Sequence, residues 1–156
     1  MGRREAGRSG GHLHAPDLRG AYGLRSDQEG SPVVTTTFSL VVVAAGQGSR
    51  MGEATAKQFL LLGGRPLWLW SAVIAQRLFA AGAIHEGVFV VPAGCEAEAE
   101  AALRPFSFPW TVTAGGAERS RSVLQGLRAA TGDFVLVHDG ARPFLTEALC
   151  RRVVAA

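Results

Sequence analysis

No apolar run in this chain approaches the roughly 20 residues that a membrane-spanning helix requires. The opening residues also lack the apolar stretch of about 7–15 residues that marks a secretory signal. Cysteine is scarce. Cys95 and Cys150 stand alone, without Cys-x-x-Cys spacing, so neither a disulfide framework nor a zinc site is suggested, and both read as thiols of a reducing compartment. Net charge is small as well, at +3, and the 16 lysines and arginines are scattered rather than gathered on one stripe, which argues against nucleic acid as the main partner. Two common phosphate-binding signatures are missing. A Walker A loop ends in Gly-Lys-Ser/Thr, whereas Gly52 is followed by Glu53 and Ala54. A dinucleotide fingerprint needs Gly-x-Gly-x-x-Gly and an acid after the second strand. Here the glycines fall at Gly46, Gly48 and Gly52, and the second strand runs out in Val91-Pro92. No internal repeat is visible.

What is present is enough for one domain: 156 residues, 47% of them hydrophobic. Composition changes near residue 36. Residues 1–36 are rich in Gly, Arg, Ser and His and have no apolar periodicity, so a disordered leader is expected there. Its arginines suit a transit peptide, while Glu5, Asp17, Asp27 and Glu29 do not. Residues 37–156 are expected to form a soluble, cytoplasmic domain.

Beyond residue 36 strand-like and helix-like segments alternate. Phe38–Val43, Gly87–Val91, Trp110–Thr113 and Phe134–Val137 read as strands, most of them continuous apolar runs. Helices are expected from Pro66 to Ala80 (Leu67, Leu69, Trp70, Val73, Ile74 and Leu78 inward), over Ala97–Leu103, and over Glu118–Ala130 (Val123, Leu124 and Leu127 inward). A last helix is expected over Thr146–Ala156, with Thr146 as its N-cap. Apolar strands separated by helices imply an α/β fold, a doubly wound and mostly parallel sheet with helices on both faces.

In such a fold the ligand site lies on the loops leaving the carboxyl ends of the strands, and three constellations fall there. The first is Ala44-Ala45-Gly46-Gln47-Gly48-Ser49-Arg50-Met51-Gly52, followed by Lys57-Gln58-Phe59-Leu60. Its small residues let backbone N–H groups approach an anion, and Arg50 and Lys57 add full positive charge. The second is Gly115-Gly116-Ala117-Glu118-Arg119-Ser120-Arg121-Ser122. A sharp turn into a helix there offers N–H groups and the Ser120 and Ser122 hydroxyls to a phosphate or a base edge, or else is a glycine turn with a serine cap. The third is His138-Asp139-Gly140-Ala141-Arg142-Pro143. Asp139 at a strand end suits a hard cation such as Mg²⁺. Arg142 is read as its brace, and His138 as a satisfied, partly buried histidine.

The three motifs AAGQGSRMG with KQFL, GGAERSRSVLQGL and VHDGARPF, in this order, make residues 38–156 resemble the 2-C-methyl-D-erythritol 4-phosphate cytidylyltransferases of the non-mevalonate isoprenoid pathway. The resemblance implies a nucleotide-diphospho-sugar transferase-like fold that binds CTP and Mg²⁺. It implies Arg50 and Lys57 as catalytic cations and Asp139 as the metal-orienting carboxylate. CTP would be bound by Ala44, Ala45, Gly46, Gly48, Ser49, Gly115, Gly116, Arg119, Ser122 and Gly140. The reaction implied is attack of the 4-phosphate on the α-phosphorus of CTP with release of pyrophosphate. The implied partners are CTP and a small sugar or polyol phosphate, with a homodimer for the full-length family and neither nucleic acid nor membrane. Two positions depart from the pattern. Ala56 replaces the usual proline before the lysine, and Ala117 replaces an acid after the paired glycines, with Glu118 expected to point elsewhere. The resemblance also implies a further segment beyond Ala156, so the chain is expected to be the amino-terminal CTP-binding half with one sheet edge uncovered. A ribitol 5-phosphate cytidylyltransferase and a non-catalytic nucleotide-binding module are the alternatives.

Overall fold

The computed structural model describes residues 35–46 and 56–156. The leader expected over residues 1–36 lies outside the described residues except for its last two. The strands are β1 (Phe38–Val43), β2 (Leu61–Leu62), β3 (Arg65–Pro66), β4 (Glu86–Val91), β5 (Trp110–Ala114) and β6 (Phe134–Asp139). The helices are α1 (Leu67–Ala80), α2 (Glu96–Leu103), α3 (Arg119–Ala129) and α4 (Glu147–Val154). The main sheet has the order β5-β4-β1-β6, and every neighbouring pair is parallel. This is the expected α/β architecture, wound outward in both directions from β1. No helix among the described residues is long and apolar enough to cross a membrane.

Alternation along β1 and β4 divides the core. Leu40, Val42, Phe89 and Val91 face α1, α2 and α4, whose Trp68, Ala72, Ala75, Leu78, Ala99, Leu103 and Cys150 complete the larger cluster. Val41, Val43, Val88 and Val90 face the opposite way, toward Val123 and Ala129 of α3. Helices therefore cover both faces. The central strands β1 and β4 are buried almost throughout, as continuous apolar runs require. On β6 an equally apolar run is only half covered: Phe134 is 57% exposed and Val137 46%. Among the described residues β6 pairs only with β1, so its second edge is unpaired there.

Three expectations are corrected. In α1 the buried residues are Trp68, Ser71, Ala72, Ala75 and Leu78 rather than the face through Leu67, Trp70 and Val73. Its LWLWSAVIAQRLFA sequence is apolar almost all round, so periodicity does not single out a face, and the small residues decide how closely it packs. In α3, Leu124 (45% exposed) and Leu127 (43%) flank the contact instead of filling it, while Ser122 and Gly126 are buried. A side chain at Gly126 would collide with Val41 and Val90, so α3 lies too close to the sheet for leucine beneath it. Pro66 does not open α1 as its first helical residue but precedes it with extended backbone, as part of β3. The hairpin β2–β3 is an addition to the expected elements, although its turn, Gly63-Gly64 with φ of 59° and 75°, is of the two-residue type that favours glycine. Trp70 leaves the core for this hairpin. Its indole N–H donates to Leu62 O at 3.0 Å, and the Arg65 guanidinium lies 4.8 Å from the ring centroid. Thr146 caps α4 as expected, its hydroxyl accepting from Leu149 N at 3.2 Å.

Candidate functional site

Parallel register brings the carboxyl ends of the strands level. Val43 pairs with Val90 on one side and with Asp139 on the other, and Val91 pairs with Ala114. The three loops that carry the sequence motifs leave from this one edge. Close approaches behind them rest on small residues. A Cβ on Gly115 would collide with Ala45 and come within 2.8 Å of Ser122 Oγ, and one on Gly140 would lie 2.9 Å from Ala44 Cβ. Ala44, Gly115 and Gly140 thus form the wall rather than the lining.

The pocket itself is lined by Ala45 and Gly46 from the exit of β1 and by Lys57 and Gln58 from a single 3₁₀ turn, Lys57–Phe59. Gly116, Ala117, Glu118, Arg119 and Ser122 come from the turn into α3, and Asp139 and Ala141 from the end of β6. Of the sequence-selected residues, Ala45, Gly46, Lys57, Gly116, Arg119, Ser122 and Asp139 are therefore together. Gly48, Ser49 and Arg50 lie outside the described residues.

Lys57 is exposed at the pocket and forms no ion pair with any other described residue. Gln58 is only 5% exposed, and its side-chain amide donates to Gly46 O. Ser122 is 2% exposed; its hydroxyl accepts from Gly116 N at 3.1 Å and lies 3.2 Å from Glu118 O, which it can donate to. It thus braces the glycine turn from beneath. Ser120 does not line the pocket; its exposed hydroxyl is directed to the Glu118 carboxylate at 3.4 Å. Glu118, expected to point elsewhere, lines the pocket beside Ala117, because it is the extended N-cap of α3 rather than a residue within the helix.

Asp139 Oδ1 accepts from Ala141 N at 3.0 Å, and Oδ2 lies 3.9 Å from Arg142 Nε. Arg142 is largely exposed and so is a loose brace. His138 is half-buried and donates Nε2–H to Arg142 O at 2.9 Å; burial lowers its pKa against the opposing pull of that bond and of Asp139. No cluster of three or more metal-ligating side chains exists among the described residues. One carboxylate beside an open pocket suits Mg²⁺ that arrives with phosphates, since this ion keeps water and phosphate ligands and needs only one or two carboxylates.

Sequence reasoning did not select Val43, Gln58, Ala117, Glu118 or Ala141, which also line the pocket. Glu118 could have been found by placing the helix start one residue later. Gln58 has no such signal, because its partner lies twelve residues away across the glycine loop.

The family model described as IspD, 2-C-methyl-D-erythritol 4-phosphate cytidylyltransferase, matches residues 38–156. A 2-C-methyl-D-erythritol 4-phosphate cytidylyltransferase of Geobacter metallireducens is 40% identical over 124 residues, covering 74% of this chain and 52% of the relative. A bifunctional enzyme IspD/IspF of Anaeromyxobacter dehalogenans is 46% identical over 116 residues, covering 74% of this chain and 29% of the relative. The crystal structure of 2-C-methyl-D-erythritol 4-phosphate cytidylyltransferase from Thermus thermophilus superposes with a TM-score of 0.54 at 33% identity, covering 76% of this chain and 48% of the other. The chain thus spans about half the length, or less, of these proteins. The matched region begins at the first residue of β1 and takes in every strand of the main sheet and every loop at the pocket, and on that extent the chain belongs to the IspD, or 2-C-methyl-D-erythritol 4-phosphate cytidylyltransferase, family.

Proposed function

We propose that residues 37–156 are the CTP-binding part of a cytidylyltransferase domain. The whole protein would transfer CMP from CTP to 2-C-methyl-D-erythritol 4-phosphate, releasing pyrophosphate, in the non-mevalonate route to isoprenoid precursors. The observation that carries this reading is the convergence of Lys57, the Gly116–Arg119 turn and Asp139 on one pocket at the carboxyl ends of the strands. The names of the relatives agree with it.

The nucleophile in this reaction is already a phosphate oxygen, so no enzyme base and no covalent intermediate are required. A bond forms from that oxygen to the α-phosphorus of CTP while the bond to the β-phosphate bridging oxygen breaks. The protein's part is to position the two reactants and stabilise charge with preorganised donors. Lys57 supplies a cation to the phosphates, and Arg50 is proposed to supply a second. Backbone N–H groups at the start of α3 serve the nucleoside side, while those of Gly115 and Gly116 are committed to Val91 O and Ser122 Oγ and hold the turn in place. Asp139 would hold Mg²⁺, which when bound neutralises triphosphate charge. We further propose a cytoplasmic enzyme that pairs as a homodimer at full length and takes neither nucleic acid nor membrane as partner; the small, scattered positive charge supports the absence of nucleic acid.

The test is calorimetric titration of the chain with CTP, ATP and UTP in the presence of Mg²⁺. The reading requires selective CTP binding, weakened at least about tenfold by Lys57→Ala or Arg50→Ala, as loss of a charge-assisted contact predicts. A folded chain indifferent to CTP would sink it. Pyrophosphate release with methylerythritol phosphate or ribitol 5-phosphate as acceptor then identifies the substrate. Release with neither would favour the alternative of a non-catalytic nucleotide-binding module.

A further inference from the structure

Gln58 stands between Lys57 and Phe59 in a 3₁₀ turn, where successive side chains point about 120° apart. Phe59 packs against the larger core cluster, Lys57 is exposed at the pocket, and Gln58 is turned inward and almost fully buried. Its amide N–H donates to the carbonyl of Gly46, the first glycine after β1. A buried amide meets little water, so its bonding groups are committed to protein partners. This bond therefore spans the mouth of the glycine loop and joins its two ends.

We infer that Gln58 is a positioning residue of this site. By donating to Gly46 O it fixes the separation between the end of β1 and the turn that carries Lys57, and it occupies a carbonyl that must not turn toward an anionic ligand. The inference rests on the reading of the pocket as a triphosphate site. The chemistry favours an amide over its isosteres. A carboxylate at this position would repel both Gly46 O and the phosphates, and an apolar side chain would leave the carbonyl unpaired and free to turn its negative end on the ligand. Alanine at position 56, which leaves the backbone before Lys57 without the restraint of proline, makes this side-chain tie the more necessary.

Affinities of the wild-type chain, Gln58→Leu and Gln58→Glu for CTP and for cytidine would be measured with Mg²⁺ present, alongside their melting temperatures. The expected result is a loss of about tenfold or more in CTP affinity for Gln58→Leu, with cytidine affinity unchanged. Gln58→Glu should lose more near neutral pH and regain affinity relative to wild type under mildly acid conditions, where a protonated carboxyl can donate to Gly46 O as the amide does. Equal CTP affinity in wild type and Gln58→Leu overturns the inference and leaves the triphosphate reading standing. A parallel loss for CTP and cytidine overturns it too, since that marks general structural damage. If Gln58→Leu does not fold, the pH dependence of Gln58→Glu decides alone. No CTP binding by the wild-type chain is the separate result that removes the reading beneath it.

Discussion

The Glu86 carboxylate at the start of β4 accepts a hydrogen bond from the backbone N–H of Thr131 at 2.6 Å, forty-five residues further along the chain. The same oxygen accepts from the Thr131 hydroxyl at 3.0 Å and from Ser39 Oγ at 2.7 Å, and Ser39 Oγ in turn accepts from Gly132 N at 3.0 Å. One buried carboxylate thus ties β1, β4 and the turn between α3 and β6 at the end of the sheet opposite the pocket. Removing it leaves several donors without partners. Glu86→Ala should cost about 2–4 kcal/mol of stability, in the range for uncoupling a buried, hydrogen-bonded charge. Urea denaturation checks this, and a loss below about 1 kcal/mol would mean that water replaces the carboxylate easily.

Gly126→Ala sets two effects of opposite sign against each other. Alanine gains up to about 1 kcal/mol in helix propensity over glycine. The added Cβ, however, would strike Val41 and come within 3.0 Å of Val90 Cγ2. Overpacking of this kind costs about 1–3 kcal/mol. A net loss of stability is expected, and a rise in melting temperature would show that α3 can lift off the sheet at little cost.

Burial holds the pKa of His138 below its ordinary 6.5. The unfolded chain therefore takes up a proton near that pH that the folded chain refuses. The contribution of this group is fully present above the unfolded value and is lost as pH falls through the lower, folded value. His138→Gln should flatten the stability profile below the ordinary histidine value of 6.5 relative to wild type. Parallel profiles for the two proteins would assign the acid sensitivity elsewhere.

The open edge of β6 carries a different liability. Val137 is 46% exposed on a strand whose second edge is unpaired among the described residues. Exposed apolar edges template association with other chains. Val137→Lys should reduce self-association in sedimentation velocity while changing stability by no more than about 0.5 kcal/mol. Unchanged association would place the sticky surface on another face, such as that of Leu124 and Leu127.

Strands are the most legible elements. Phe38–Val43 has the boundaries that its apolar run implies, and β4, β5 and β6 each extend only one or two residues beyond their expected limits. Continuous apolar runs bounded by small or polar residues signal buried parallel strands whatever lies around them. The pocket is legible to the same depth, since Lys57, Gly116 and Asp139 belong to motifs that each follow a strand. Helix faces are less so. Leu124 and Leu127 look like core residues by hydrophobicity, but the distance between α3 and the sheet selects Gly126 and Ser122 instead.

What the sequence determined by itself is local: which segments extend, which coil, where Thr146 caps a helix, and where glycine permits a turn. Those outcomes depend on propensity, periodicity and short-range hydrogen bonds. What only the tertiary structure decided is pairing at a distance. Nothing near Gln58 names Gly46 as its acceptor, and nothing near Glu86 names Thr131. Nor does residue order reveal that β6 lies against β1, so that Asp139 comes level with Val43 and joins Lys57 at one pocket. The parallel sheet makes these choices, because its fixed register converts separation along the chain into adjacency in space.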